Sequence, residues 1–309
     1  MKVDSRSWRW LSAALTLAGG SALLSGCQGS SALTRPVQAQ VPDRDENAPP
    51  AGLDESEAIR VTLAALSIKS ESVQRNLANL RRPGYKAEQV ILDHHGESMA
   101  LESADGSEDA GVLVTARWEG KPLYVRRTRI DTRPGPIVHT AGELDIALRG
   151  MVWLRVMRGG SDIAYTRDGR LAINSQGELC LADDPAWRIE PAIRIPPGAT
   201  ELTIARDGRV TARLSSATEP QTLGIVETWA FANPERLVPI GPGLYGHGPS
   251  AGEAILASKG VPTPAGRGDR LGAIEQGYLE MSNVDASEQG NEASRVEAYV
   301  RMLERVAGR

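Results

Sequence analysis

A regularly spaced stripe of apolar residues near the start of the chain constrains the fold more than any other sequence feature. Between positions 59 and 80, apolar residues recur at alternating intervals of four and three, interrupted only by a serine at position 70. This spacing places them on one narrow face of an α-helix, as in helices that pack lengthwise against another helix. The predicted contact residues of this stripe are Ile59, Leu63, Leu66, Val73, Leu77 and Leu80.

The helix that carries this stripe is predicted to run from Asp54 to about Leu80, a length of about 40 Å. Asp54 with Glu57 three residues later has the pattern of a capping box, and Pro83 discourages further helix. Such a helix cannot bury its stripe alone and therefore needs a partner. A second helical pattern near the C-terminus offers one, and its predicted contact residues are Val296, Tyr299, Leu303 and Val306.

Between the two helical patterns the sequence changes to short alternating runs separated by turn residues, which is typical of antiparallel strands. Asp168-Gly169 and Asp207-Gly208 each stand between two such runs, as hairpin turns require. No alternation of strands with helices is present in this region. The predicted fold class is therefore α+β, with N- and C-terminal helices forming a coiled-coil-like stem and a mainly antiparallel β central domain.

These patterns divide the chain into six segments. They are predicted to be a lipoprotein signal peptide (1–26), a flexible tether (27–53), an N-terminal stem helix (54–86), a β-rich central domain (87–240), a Gly/Pro-rich connection (241–277) and a C-terminal stem helix (278–309). The tether is assigned because its polar residues and prolines show no periodic apolar positions.

The first residues have the pattern of a bacterial lipoprotein signal. Three basic residues precede an apolar run from Trp10 to Leu24, which is shorter than a membrane-spanning helix needs. The run ends in Leu24-Ser25-Gly26-Cys27, which resembles a lipobox, so Cys27 is predicted to be lipidated and to anchor the chain to a membrane. Gln28, rather than Asp, follows this cysteine, and this favours sorting to the outer membrane.

Charge and cysteine content exclude several classes of function. The formal net charge is −4, and removal of the basic signal would make the chain more acidic, so no nucleic-acid partner is expected. If Cys27 carries lipid, Cys180 has no second cysteine in the chain, which excludes a disulfide framework and a cysteine-based zinc site. No cofactor is predicted.

Three short motifs that could carry chemistry do not fit their surroundings. Gly241–Gly246 has the spacing of a dinucleotide-binding loop, but no parallel strand precedes it and no helix follows. Gly248–Gly252 has the form of a hydrolase nucleophile elbow, but all four histidines precede its serine, which leaves only a different triad order open. His94-His95 lies beside acidic residues, but adjacent side chains on an extended segment point to opposite faces. We therefore predict that the protein is not an enzyme, and a periplasmic hydrolase is the weakest alternative.

Several motifs, in a fixed order along residues 54–309, resemble those of flagellar rod and hook proteins. Asn76–Lys86 is similar to the signature near the start of these proteins, Tyr165–Gly169 to a segment of the distal-rod (FlgG-like) family, and Gln276–Val284 continues the likeness. The chain thus resembles the flagellar basal-body rod protein family. The positions that carry the resemblance include Asn76, Leu77, Ala78, Asn79, Gly84, Tyr165, Thr166, Arg167, Asp168, Gly169, Gln276, Gly277, Tyr278, Leu279, Ser282 and Asn283.

The resemblance implies a structural role in the bacterial flagellar basal body, by self-assembly and without catalytic residues. The implied partners are copies of the chain and other flagellar rod or hook proteins, with terminal helices forming an inner tube and β structure an outer wall. The lipoprotein signal departs from the family pattern, so the expected location is the periplasmic basal body with lipid anchoring to the outer membrane. The alternative is a lipid-anchored periplasmic or outer-membrane adaptor that keeps the rod-protein fold.

Overall fold

Two long helices and eighteen strands make up the part of the chain that the computed structural model describes, which is residues 52–94, 121–215, 217, 219–257 and 272–308. The predicted signal peptide, Cys27 and nearly all of the predicted tether lie outside the described residues. The architecture is α+β, as predicted, and the strand pairs are antiparallel. In chain order the elements are α1 (Glu55–Ala78), β1 (Glu88–His94), β2 (Leu123–Ile130), β3 (Ile137–His139), β4 (Ile146–Arg149), β5 (Trp153–Arg158), β6 (Asp162–Thr166), β7 (Leu171–Ile173), β8 (Leu179–Leu181), β9 (Arg188–Ile189), β10 (Thr200–Ile204), β11 (Arg209–Arg213), β12 (Gln221–Ile225), β13 (Thr228–Ala230), β14 (Val238–Gly241), β15 (Leu244–Gly246), β16 (Ile255–Leu256), β17 (Ala273–Gln276), β18 (Tyr278–Glu280) and α2 (Ala286–Ala307).

Local capping sets both ends of α1. The Asp54 carboxylate accepts a hydrogen bond from the Glu57 backbone N–H at 2.8 Å, and the Glu57 carboxylate accepts one from the Asp54 N–H at 3.2 Å, which completes a capping box. At the other end the Asn79 side chain donates to the Arg75 carbonyl at 2.7 Å. The helix therefore ends at Ala78, two residues before the predicted Leu80, because Asn79 satisfies a carbonyl of the last turn.

Helix α1 packs against α2 and against the β1–β2 pair, and these four elements are called the stem here. Asn76 contacts Gln289 and Lys69 contacts Glu292, so the two helices run antiparallel. Backbone carbonyls of β1 accept side-chain hydrogen bonds from α1, including one from Lys69 to Val90 at 3.0 Å. No helix in the described ranges is both long and apolar enough to cross a membrane.

The remaining strands form the β domain. Its largest sheet has nine strands, with a main path in the order β14-β15-β6-β5-β9-β8-β7, while β13 pairs with β5 and β16. A separate sheet contains β10-β11-β12, and two smaller pairs are β17-β4 and β18-β3. A single aliphatic cluster between these sheets includes Leu148, Leu154, Val156, Ile189 and Ile274, all of them at most 1% exposed.

The C-terminal stem helix begins at Ala286 and not at residue 278 as predicted. Tyr278 and Leu279 belong to a strand that pairs with β3, opposite His139 and Val138. The helix begins only after Asp285, whose carboxylate accepts hydrogen bonds from two backbone N–H groups of the first turn. The predicted connection 241–277 likewise contains β15, β16 and β17, and Pro242-Gly243 forms the tight turn between β14 and β15.

One predicted hairpin is wrong. Asp207-Gly208 does turn β10 into the antiparallel β11, with Gly208 at φ +87°. Asp168-Gly169, however, links β6 to β7, which do not pair with each other because β6 lies between β5 and β15 while β7 pairs with β8. Gly169 is required there for space, since a Cβ would lie 1.7 Å from the Ile146 carbonyl oxygen.

Candidate assembly site

Three segments lie where the stem meets the β domain, and much of the motif sequence lies in or beside them. Residues 79–87 join α1 to β1, residues 131–136 join β2 to β3, and residues 281–285 join β18 to α2. The fold brings these three segments together against the end of β6. We call this region the junction, and it contains polar groups that are almost completely buried.

A buried charge triad occupies the centre of the junction. The Lys86 ammonium lies 2.6 Å from Oε1 of Glu280, and Nε of Arg167 donates to Oε2 of Glu280, also at 2.6 Å. The side chains of Lys86 and Glu280 are 0% exposed and that of Arg167 is 4% exposed. One carboxylate therefore faces two cations away from water, a charge-assisted arrangement with short hydrogen bonds.

Carbonyl groups of the surrounding backbone accept hydrogen bonds from the cations of the triad. Lys86 also donates to the Arg133 carbonyl at 2.8 Å. The Arg167 guanidinium donates to three carbonyls in and after β4, those of Leu148, Gly150 and Val152. Such saturation makes a buried ion cluster tolerable, because an unpaired buried charge costs several kcal/mol.

The environment shifts the protonation equilibria of the triad in ways that follow from burial and charge. Burial by itself raises the pKa of Glu280, but the nearby Arg167 and Lys86 charges outweigh it and leave this pKa below its ordinary value. Burial lowers the pKa of Lys86, and repulsion from Arg167 lowers it further, against the opposing attraction of Glu280.

A motif asparagine joins both helices to β1. The Asn76 side chain, in a residue 1% exposed, donates to the Glu88 carbonyl and to Oε1 of Gln289, each at 2.9 Å. Its carbonyl oxygen accepts from the Glu88 N–H at 2.8 Å and from the Tyr85 hydroxyl at 3.1 Å. All of its hydrogen-bonding capacity is thus used, and a side chain without an amide could not replace it.

A second motif asparagine ties all three connecting segments together. Oδ1 of Asn283 accepts from the Ala87 N–H at 2.7 Å, and its amide donates to the carbonyls of Asp131 and Arg133, each at 2.9 Å. These contacts explain why an asparagine stands at this position.

The motif glycine Gly84 is required by its backbone and by its surroundings. It has φ +68°, and an added Cβ would lie 2.2 Å from backbone atoms of Arg167 and Asp168. Its N–H donates to the Glu280 carbonyl at 2.7 Å. The first connecting segment therefore lies directly on the backbone of the Tyr165–Gly169 motif.

Other motif residues hold the β domain together around the junction. Thr166 donates to the Gly243 carbonyl at 2.7 Å, and the Tyr165 ring packs edge-on against Phe231. The Gln276 amide donates to the carbonyls of Glu143 and Leu202. Of the remaining motif positions, Leu279 and Ser282 are buried, Tyr278 is 37% exposed, Gly277 has positive φ, and Leu77, Ala78 and Asn79 form the end of α1 and the residue after it.

The predicted stripe residues of the two helices meet within one chain. Ile59 and Leu66 form a buried cluster with Val296 and Leu303, and β1 and β2 add Leu92 and Leu123 at its edge. Val73 is also buried. The remaining stripe residues, which are partly buried, are Leu63, Leu77, Leu80, Tyr299 and Val306. The apolar stripe that was predicted to contact a partner helix is thus largely covered by other parts of the same chain.

Sequence reasoning did not single out three residues of the junction. Lys86 and Glu280 lie inside recognised motifs, but only their positions beside each other reveal an ion pair. No sequence pattern indicated that Tyr245 would be buried, because it lies in a Gly/Pro-rich segment. Its ring is 1% exposed, and its hydroxyl accepts a hydrogen bond from the Lys86 N–H at 2.8 Å.

The motifs with possible chemistry form no catalytic site in the described residues. Gly241–Gly246 is the turn and second strand of the antiparallel β14–β15 pair, which is unlike a dinucleotide loop. Ser250 lies in a single 3-10 turn. The nearby His247 ring forms its hydrogen bond with the Gly252 carbonyl rather than with the serine. Among the described residues, no three His, Cys, Asp or Glu side chains are grouped to hold a metal ion.

Comparison with known proteins agrees with this architecture. Residues 147–212 match the family model described as the flagellar hook protein FlgE/F/G D1 domain. The flagellar basal-body rod protein FlgG of Caulobacter vibrioides is 29% identical over 225 residues, which is 72% of this chain and 82% of that protein. FlgG of Agrobacterium fabrum is 29% identical over 70% of this chain and 79% of its own length. FlgF of Escherichia coli is 32% identical over 44% of this chain and 48% of that protein.

The match to the hook-protein D1 domain makes this chain similar to flagellar hook and rod proteins, and its α+β architecture is consistent with that similarity. Within that class the chain is FlgG-like, since the similarity to FlgG proteins extends over most of both sequences. The resemblance found in the sequence motifs is thereby confirmed. The prediction that the protein is not an enzyme is also confirmed, because these relatives are structural rod proteins.

Proposed function

We propose that this protein is a structural component of the bacterial flagellar basal body, a distal-rod-type axial protein that acts by self-assembly. The observation that carries the proposal is the similarity to FlgG proteins over most of both chains, together with the convergence of the separated motifs on one junction. The similarity to rod proteins favours this function over the adaptor alternative. The partners proposed are copies of the chain and other rod or hook proteins.

We also propose that the stem contributes to contacts between subunits through the face of α1 that α2 leaves open. Val61, Ala64 and Ile68 lie on this face at helical spacing, and Ile68 is 43% exposed. The charged residues Glu57 and Glu71 flank the apolar stretch. A neighbouring helix could bury these side chains, whereas the seam around Leu66 is already occupied.

The test of the function is to purify basal bodies from cells that carry a tagged copy of the chain and to identify their proteins by mass spectrometry. We expect the chain to copurify with the rod and its deletion to abolish motility. An Ile68→Glu variant should fold but be absent from the basal bodies, while Arg60→Glu, at an exposed position on the same helix, serves as the control. Normal motility after deletion, with no chain in the basal body, would rule the proposal out.

A lipid anchor on Cys27 is a further proposal, and it rests on the sequence alone. Such an anchor would hold the chain at the periplasmic face of the outer membrane while the residues from 54 onward assemble. Fractionation of cells that express Cys27→Ser tests it, with Cys180→Ser as the control because that thiol is buried in the β domain. Equal membrane association of the wild type and Cys27→Ser would exclude the anchor.

A further inference from the structure

The junction has the features of a rigid joint, because each of its three segments contributes a group to the same buried cluster of charges or directly follows one of its residues. The first segment supplies Lys86, the third follows directly after Glu280, and the second supplies the Gly135 N–H, which donates to Oε1 of Glu280 at 2.8 Å. Arg167 approaches from the β domain and holds the other carboxylate oxygen. One carboxylate thus accepts hydrogen bonds from three partners, namely Lys86, the Gly135 N–H and Arg167.

Beyond the triad, the stem contacts the β domain through β2, which packs against the 3-10 turn Pro234–Arg236. Ile130, at the end of β2, inserts into an aromatic cluster with Trp153 and Tyr245, and Arg82 forms a half-exposed ion pair with Asp183 at 2.9 Å. These contacts also belong to the junction or border it. Nothing further along α1 or α2 in the described residues fixes the angle at which the stem leaves the β domain.

Charged groups suit such a joint better than apolar ones. Apolar contacts that shift lose packing, whereas a buried carboxylate that loses a cation also leaves an uncompensated charge. The alternative positions of the stem are therefore strongly disfavoured. In some proteins, buried polar groups select one arrangement among several of similar packing quality.

We propose that the Lys86–Glu280–Arg167 triad is an orientation lock, which fixes the stem at one angle to the β domain in the isolated chain. The inference concerns the single chain and holds whether or not the chain is built into a rod. The lock sets the direction of the stem, while the aliphatic core of the β domain and the seam of the stem supply the stability of the two parts.

The distance between the two parts can be measured by pulsed electron–electron spin resonance on the full-length chain. Spin labels are attached at Gln74→Cys on α1 and Gln176→Cys in the β domain, both exposed positions, after Cys27 and Cys180 have been replaced by Ser and Ala. We expect a narrow distance distribution with one maximum in this parent protein. In Glu280→Gln the distribution should broaden and lose its single maximum.

Two controls separate a released joint from general unfolding. A label pair within the β domain, at positions 176 and 206, should keep its distance in every variant, and the near-ultraviolet circular dichroism of the aromatic cluster should persist. Glu275→Gln makes the same chemical change in an ion pair with Arg149 that lies outside the triad, and it should leave the distance between stem and β domain unchanged.

A second variant keeps the proposal testable if Glu280→Gln does not fold. Lys86→Met removes one buried cation, leaves Arg167 and Glu280 as a neutral pair, and removes the Lys86 hydrogen bonds to the Glu280 carboxylate and to the Arg133 carbonyl. It too should broaden the distribution between stem and β domain. An unchanged narrow distribution in a folded Glu280→Gln or Lys86→Met chain would overturn the lock, as would loss of the β-domain distance in both variants.

Discussion

Truncation of Leu303 tests how much the stem depends on the seam between its helices. Leu303 is fully buried at the centre of a cluster with Ile59, Leu66 and Val296. The change Leu303→Ala removes three buried carbon atoms, and at about 0.8 kcal/mol for each group the transfer cost alone is about 2.4 kcal/mol. The cavity left behind raises the expected loss in the free energy of unfolding to about 3–4 kcal/mol.

The assay is urea denaturation followed by far-ultraviolet circular dichroism, which reports on α1 and α2 because most of the helical signal comes from them. The matched control is Ile68→Ala on α1, which removes a similar side chain that is 43% exposed. We expect this control to cost less than about 1 kcal/mol, because surface substitutions away from special features have small effects.

The result that would refute the reasoning is a loss below about 1 kcal/mol for Leu303→Ala in the monomeric chain. It would mean that the two helices are not packed together within one chain in solution, and that the seam requires a second subunit. A loss that depends on protein concentration would point to the same conclusion, because the stability of an interchain contact follows mass action.

Three further predictions follow from individual residues. Gly84→Ala should lower the free energy of unfolding by about 3 kcal/mol or more in urea denaturation, because the residue has positive φ and its Cβ would overlap the Arg167 backbone; a neutral effect would contradict this account. Gly290→Ala should raise the stability by about 0.5–1 kcal/mol, because the position is exposed within α2 and an added Cβ meets nothing within 4 Å, so a lower urea midpoint would count against it. The folded-state pKa of Glu280 lies below its usual 4.5, so the stabilising contribution of its carboxylate is present above that pH and should be lost as the pH falls further. Between about pH 5 and 3, the urea midpoint of Glu280→Gln should therefore decline less steeply than that of the wild type. Equal slopes in the two proteins would exclude the effect.

Features set by neighbouring residues could be predicted well. The capping box of α1 depends on Asp54 and Glu57, which are three positions apart, so its residues are recognisable in the sequence. The turn at Asp207-Gly208 was also predicted, because the positive φ of Gly208 is a requirement of the turn itself. In each case the physical cause lies within a few residues of the chain.

Features that depend on residues far away in the sequence were predicted less accurately. Residues 278–280 were assigned to the C-terminal helix, but they form a strand because β3 lies beside them and supplies hydrogen bonds. Asp168-Gly169 was interpreted as a hairpin for a local reason, whereas Gly169 is needed because the Ile146 carbonyl approaches it closely. Local preference cannot reveal such neighbours.

The sequence by itself determined the α+β class, the start of α1 and the kind of protein, because capping, apolar periodicity and ordered motifs depend on residues that are close together in the chain. Only the tertiary structure decided that α1 and α2 cover each other within one chain, and that Lys86, Arg167 and Glu280 meet away from water. The physical reason is that burial and ion pairing depend on distance in space. Nothing in the sequence indicates that a lysine and a glutamate far apart in the chain will form a buried ion pair.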